Sequence, residues 1–382
     1  MSDEEPRLEP RLEMAINVPR SVLDARTELI HIREQAHRGL EGVIVGYDEP
    51  LDLLLIAAVS GGHVLLEGPP GVAKTLLAGA LARLLGVGFK RVQFTPDTRP
   101  EEITGRNLSR LGETSFLPGA VFTNVLVADE INRTPPRTQA ALLEAMQDRH
   151  VTVEGRTHWL PAPFMVIATQ NPYEQAGIFP LPESQLDRFL FKINLDYASA
   201  AHERAILRLP HRSLSPDVLG EVQPLLDSAR LQRLQAALDE MPAPDEVTAF
   251  VVDVVRRTRA AEGVVLGASP RAAVHLLAAS KAHARLANRL TVTREDVVAM
   301  APFVLPHRML VRGVKAPDVV RAALQIGADP RGEERPPGAD GRAPDGDRRS
   351  PEGEGRSPGG DRRSRGGDRR SPRGERRQRG WT

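Results

Sequence analysis

The sequence predicts an α/β fold with a parallel sheet flanked by helices, followed by a small all-helical domain and a disordered tail. Five apolar, strand-like runs at 63–67, 89–94, 125–128, 164–169 and 190–194 alternate with helical stretches, notably 75–85 and 137–147. Such alternation makes a parallel sheet covered on both faces. Beyond Asn194 the composition turns to Ala, Leu and Arg at helical spacing. The first strand runs directly into the glycine-rich sequence Gly68, Pro69, Pro70, Gly71, Val72, Ala73, Lys74, Thr75. That combination marks a strand, loop and helix unit built around a phosphate.

The elements follow in order. Residues 1–13 are polar and open on acids, so they are expected to be disordered and to carry no signal core, which makes a cytoplasmic protein the default. From 14 to 40, Val22, Leu23, Leu29, Ile30 and Ile32 fall at helical spacing among charges, which predicts one amphipathic helix. The apolar run 51–59 is broken by Asp52 and is far too short to span a bilayer. The absence of cysteine excludes disulfides and Cys-based metal sites.

In the loop at 68–75, small residues allow backbone N–H groups to turn inward on phosphate oxygens. Lys74 reaches the β and γ phosphates, the Thr75 hydroxyl holds Mg²⁺, and the helix starting near Lys74 adds its positive end. The usual pattern has glycine before the lysine, and this chain has Ala73, whose methyl is small enough for the loop to survive. A plain Gly/Pro turn that happens to carry a lysine is the alternative, and the downstream residues weigh against it. The run 125–128 ends in Asp129 and Glu130. Asp129 suits Mg²⁺-bound waters, and Glu130 is placed to polarise an attacking water, as a hydrolase requires. The run 164–169 leads to Asn171, a neutral amide at a strand's carboxyl end, where open α/β sheets bind ligands.

Two insertions interrupt the alternation. Both 104–117, with Gly112 and Glu113 at its polar turn, and 150–160, with Glu154 and Gly155, have the pattern of β-hairpins. After 194, helical stretches fall at 202–209, 229–238, 247–261 and 271–286, with another capped start at 292–296.

The whole chain carries a net charge of +1, yet 15 Arg and 10 acidic residues lie in 331–382, leaving 36 basic and 40 acidic residues before it. That tail repeats Gly-Asp-Arg-Arg-Ser at Gly346, Gly360 and Gly367 and has one aromatic, Trp381, so disorder is expected. Its acids are interleaved with the arginines and stacking aromatics are nearly absent, which argues against nucleic-acid binding. Only five of the chain's basic residues are Lys, so arginine richness is a property of the whole sequence.

Four segments, 125–133 (VLVADEINR), 167–172 (IATQNP), 183–189 (ESQLDRF) and 267–272 (GASPRA), resemble the MoxR branch of the AAA+ ATPases, and the likeness covers roughly 35–315. The resemblance implies a ring-forming, Mg²⁺-ATP-hydrolysing, chaperone-like machine with the P-loop sheet order 5-1-4-3-2 in a nucleotide-binding core at 14–195. A helical lid at 196–329 and a disordered tail at 330–382 complete the implied organisation. The homo-oligomer implied is a hexameric ring, and the implied client or adaptor carries a von Willebrand factor A type fold. Val45 and Gly46, within the segment 43–46, match the stretch that lines adenine in the family, with ordinary core packing as the rival role. Arg188 matches the arginine finger, which would act on the neighbouring subunit's ATP by stabilising charge on the departing phosphate. Arg271 matches the second sensor, acting on its own or the next subunit's nucleotide. Arg133 fits an intersubunit contact better than a catalyst. The hairpins are implied to face the ring axis, against a purely structural role on the sheet. A GTP switch would need a guanine-reading Asn-Lys-x-Asp run, which is absent. A motor acting on nucleic acid is the alternative reading, and the acidic folded part weighs mildly against it. A scaffold that binds ATP without hydrolysing it is disfavoured by Glu130 and Arg188.

Overall fold

The computed structural model describes residues 20–110, 113–173, 177–209 and 216–325. The expectations for 1–13 and for the tail lie outside these residues. So does the polar turn of the first hairpin, except for Glu113 at the start of its second strand.

The five core strands are β1 (Val64–Glu67), β2 (Phe89–Gln93), β3 (Val125–Asp129), β4 (Met165–Gln170) and β5 (Phe191–Asn194). All pair in parallel, in the spatial order β5-β1-β4-β3-β2, which is the order expected. Strand residues alternate between two cores, as a sheet covered on both faces requires. Val64, Leu66, Val125, Val127, Met165, Ile167, Phe191 and Ile193 pack on one side; Leu65, Leu126, Ala128, Val166 and Ala168 pack on the other. The helix Pro136–Asp148 covers the second side with Leu142, Leu143 and Met146. On the first side lie the helices Arg20–Leu40, Asp48–Val59 and Lys74–Leu84.

The amphipathic helix begins at Arg20, the first described residue, and carries Leu29, Ile32, Ala36 and Leu40 into the core. The helix Asp48–Val59 is an element that sequence periodicity did not announce, because eight of its twelve residues are buried and it has no polar face to read. The segment 43–46 is a turn with one bridge between Glu41 and Ile44.

Both insertions are antiparallel hairpins, Arg106–Arg110 with Glu113–Leu117 and His150–Val153 with Arg156–Trp159. They meet each other: Phe116 stacks on His158 with ring centroids 3.7 Å apart, and Asn107 Nδ2 donates to Glu154 Oε2 at 2.8 Å.

Downstream, the helices Ser228–Asp239, Asp245–Ala260, Pro270–Leu286, Arg294–Val304 and Ala316–Gln325 form a bundle. Caps set their starts, with Asp227 accepting from Arg230 N, Ser269 from Ala272 N, and Thr293 with Asp296 forming a capping box. The bundle packs on the helices Arg20–Leu40 and Asp48–Val59, and Gln235 Nε2 donates to Ala58 O at 2.7 Å. One continuous apolar cluster therefore runs from the sheet into the bundle. No helix among the described residues is long and apolar enough to cross a membrane.

Candidate nucleotide site

Parallel packing brings the carboxyl ends of β1, β3 and β4 together beside the start of the helix Lys74–Leu84. The loop between β1 and that helix must pass close to β5. A side chain at Gly68 would put Cβ 2.2 Å from Leu195 O, so only glycine fits. Ala73 caps the helix in the left-handed region at φ 55° and ψ 24°, which explains why glycine is usual there. Lys74 Nζ folds onto the loop's own carbonyls, Gly68 O at 2.6 Å and Pro69 O at 2.8 Å.

Asp129 sits at the end of β3 with its side chain only 7% exposed. The Thr75 hydroxyl donates to it at 2.9 and 3.2 Å, and the Thr169 hydroxyl donates at 2.6 Å. Arg91 supplies the counter-charge, with Nη2 at 2.7 Å and Nε at 3.1 Å from Asp129 Oδ2. Glu130 is held in the left-handed region at φ 56°, and its N–H donates to Thr169 Oγ1 at 2.9 Å. Its carboxylate accepts from Gln93 Nε2 at 2.6 Å and pairs with Arg133 Nε at 2.8 Å. A non-glycine backbone in this region is strained and is characteristic of functional sites.

These residues line a cleft of about 540 Å³ that includes Gly71, Lys74, Thr75, Arg91, Gln93 and Glu130. Its donor set suits Mg²⁺ with a polyphosphate. One carboxylate and one hydroxyl converge as hard oxygen ligands, and this ion commonly takes few protein ligands and completes its shell with water and substrate phosphates. Among the described residues no cluster of three or more His, Cys, Asp or Glu forms a self-sufficient metal cage.

Next to the cleft is an apolar pocket of about 320 Å³, bounded by Val45, Tyr47, Val72, Ala73 and Leu76 from the core and by Tyr197 and Leu207 beyond β5. Tyr47 donates its hydroxyl to Val72 O at 2.9 Å, fixing the loop, and burial raises its phenol pKa. Gly46 lies at φ +81°, and a Cβ there would meet the His202 ring at 2.4 Å. Val45 thus faces the pocket, while Gly46 allows the chain to turn beneath His202.

The remaining expected residues are placed differently. Asn171 follows β4, is 6% exposed, and its Oδ1 accepts from Tyr173 N at 3.1 Å. Its oxygen is thus taken by the next turn, and it is not among the residues lining the cleft. Arg188 and Arg271 do not line the cleft of their own chain either. They lie near each other, because Ser269 Oγ donates to both carboxylate oxygens of Asp187 at 3.0 Å. Among the described residues Arg188 makes no side-chain hydrogen bond or ion pair.

Sequence reading missed Arg91, Gln93, Tyr47 and Tyr197. Alternation along β2 was the available signal for the first two: Phe89, Arg91 and Gln93 share the cleft face, while Val92 packs into the opposite core.

Residues 63–191 match the model of the ATPase family associated with various cellular activities (AAA), and residues 256–325 match that of the AAA lid domain. The chain is 42% identical to Chaperone MoxR1 of Mycobacterium tuberculosis over 293 residues, covering 74% of this chain and 76% of that protein. It is 31% identical to Protein MoxR of Methylorubrum extorquens, covering 75% and 92%. A crystal structure from Cytophaga hutchinsonii superposes with a TM-score of 0.71 at 33% identity, covering 80% of this chain and 96% of that one.

Proposed function

The chain belongs to the MoxR family of AAA ATPases, and from that premise we propose that it is a ring-shaped, chaperone-like remodeller whose ATP hydrolysis runs through the residues of the cleft. The observation that carries the reading is the convergence of Thr75, Asp129 and Glu130 at one cleft that also holds Lys74.

In the proposed reaction, water attacks the γ phosphorus of ATP, the bond to the bridging oxygen breaks, and ADP and phosphate leave. Lys74 exchanges its two loop carbonyls for phosphate oxygens. Bound Mg²⁺, held by Thr75 and Asp129, supplies neutralisation of the phosphate charge. Glu130 accepts the proton of the attacking water, and Asn171, just beyond the cleft lining and with its oxygen engaged by Tyr173, is assigned from family resemblance to orient that water through its amide N–H. The adenine lies in the apolar pocket against Val45, Tyr47 and Val72.

Arg188 completes the site of the neighbouring subunit. Arg271 is assigned to the same neighbour, supported by its position two residues from Ser269, which is bonded to the residue preceding Arg188. A hexamer and a client or adaptor with a von Willebrand factor A type fold are part of this proposal and rest on family resemblance, and a cytoplasmic location is proposed with them. The paired hairpins are its client-facing element.

The test compares two variants. Lys74→Ala weakens ATP binding, because the amine contacts ground-state phosphates. Glu130→Gln binds ATP about as well as the unaltered chain and hydrolyses it very slowly, because the carboxylate acts in the transition state. Full turnover by Glu130→Gln would remove Glu130 as the base. The same variant, loaded with ATP, is the form with which to capture the client.

A further inference from the structure

The cation beside Asp129 is on an edge strand and half exposed. Asp129 is nearly buried, and a carboxylate in that position requires a compensating charge. Among the described residues Arg91 supplies it through two N–H groups aimed at Oδ2, while the Thr169 hydroxyl reaches Oδ1 and the Thr75 hydroxyl lies between the two oxygens, nearer Oδ2. The Arg91 side chain is 48% exposed, and β2 pairs with β3 alone. From an edge strand and at this exposure, the guanidinium would leave Asp129 by side-chain rotation without displacing a core residue. The side chain also lines the cleft, so a freed guanidinium would share that space with the oxygens of a bound phosphate.

Resting on the assignment of Asp129 to Mg²⁺, we propose that Arg91 is a resident exchange cation. It neutralises Asp129 when no metal is bound, gives way when Mg²⁺ arrives, and turns toward the nucleotide's phosphates. A divalent ion and a guanidinium cannot share Asp129 Oδ2 without strong like-charge repulsion. The consequence is distinctive, because metal binding and nucleotide binding become linked through one side chain. Without Mg²⁺, Arg91 keeps the carboxylate from repelling the phosphates. With Mg²⁺, it becomes a further phosphate ligand. The neighbouring Gln93, which bonds Glu130 from the same strand face, is uncharged and has no such exchange to make.

The experiment has two binding readouts and needs no turnover. First, Mn²⁺ is titrated by electron paramagnetic resonance into the nucleotide-free full chain. Arg91→Gln is expected to bind Mn²⁺ about tenfold more tightly than the unaltered chain, since no guanidinium has to be displaced, and Arg91→Lys falls between them. Second, a fluorescent methylanthraniloyl ATP is titrated with Mg²⁺ and again with EDTA. Arg91→Gln is expected to lose about tenfold in affinity in EDTA and clearly less with Mg²⁺, so the ratio of the two constants widens.

Equal or weaker Mn²⁺ binding by Arg91→Gln overturns the exchange. So does an equal loss of ATP affinity in both conditions, which is what a purely structural side chain or a plain phosphate ligand gives. The underlying site assignment fails in a different way: the unaltered chain then binds the ATP analogue with no dependence on Mg²⁺ or on Lys74. Lys74→Ala in the same titrations separates the two failures.

Discussion

Arg308, whose side chain is fully buried, donates from Nη1 to Asp187 Oδ1 at 3.0 Å. The same guanidinium donates through Nη2 to Phe189 O and to His275 Nδ1. A single arginine of the helical bundle thus grips the stretch that carries Arg188, and Ser269 grips it from the start of the helix that carries Arg271. Removing Asp187 leaves a buried charge without its partner. Asp187→Ala is therefore expected to lower unfolding stability by about 3–5 kcal/mol, and Asp187→Asn, which keeps an acceptor, by less. Denaturant unfolding measures both, and a loss below about 1 kcal/mol for the alanine form would mean the pair contributes no more than an exposed one.

Acid sensitivity follows from three histidines, His63 and His307 buried and His275 partly buried. His63 accepts from Val166 N at 2.9 Å and donates to Met146 O at 3.1 Å, His307 donates to Phe189 O at 3.2 Å, and His275 accepts from Arg308. Burial first, and then neighbouring arginines, push all three pKa values down, that of His275 to about 3. The unfolded chain therefore binds protons below about pH 6.5 that the folded chain refuses. Their stabilising effect is complete above that pH and is lost as pH falls toward the folded values. Thermal midpoints are expected to be nearly level near pH 7.5 and to fall from about pH 6.5 to pH 5, and His275→Gln, which can still accept from Arg308, is expected to flatten the slope. A midpoint that stays level down to pH 5 would contradict the assignment of these histidines as neutral.

How much of this was visible in the sequence depends on distance along the chain. The phosphate loop and the acids at 129 and 130 were legible because each is set by residues adjacent in sequence, and the parallel sheet by a simple alternation, whereas the strand order was implied only by the family resemblance. Arg91 was not legible: in FKRVQ it looks like surface charge, and only the register that places Gln93 beside Asp129 turns its face into the cleft. Arg308 looked equally ordinary, and its burial comes from contacts with Asp187 and Phe189, more than a hundred residues away. Asn171 was legible as a strand-end amide, but the turn to Tyr173, which takes its oxygen, was not.

Ala73 holds a left-handed backbone that costs an L-residue roughly 1–2 kcal/mol. Glycine removes that cost and adds back some chain entropy in the unfolded state. Ala73→Gly is expected to stabilise the chain by roughly 1 kcal/mol or less, with nucleotide affinity little changed. Destabilisation in a thermal melt would show that the methyl makes packing contacts outweighing the strain.

The guanidinium of Arg188, which has no side-chain partner among the described residues, distinguishes a ring enzyme from a self-contained one. In a shared site, Arg188 of one subunit completes the phosphate site of the next. Glu130→Gln subunits then have a dead site and an intact finger, whereas Arg188→Ala subunits have an intact site and no finger. Each variant alone is expected to be nearly inactive, since an arginine finger is worth roughly 10³ to 10⁵ in rate. In a mixed ring some interfaces join a good finger to a good site, so activity is expected to return when the two are co-expressed or refolded together. The position of Arg188 beside Asp187, outside its own cleft, is the reason to expect rescue. Mixed rings, verified by two different affinity tags, that remain as inactive as either parent would mean that Arg188 acts within its own chain or not at all.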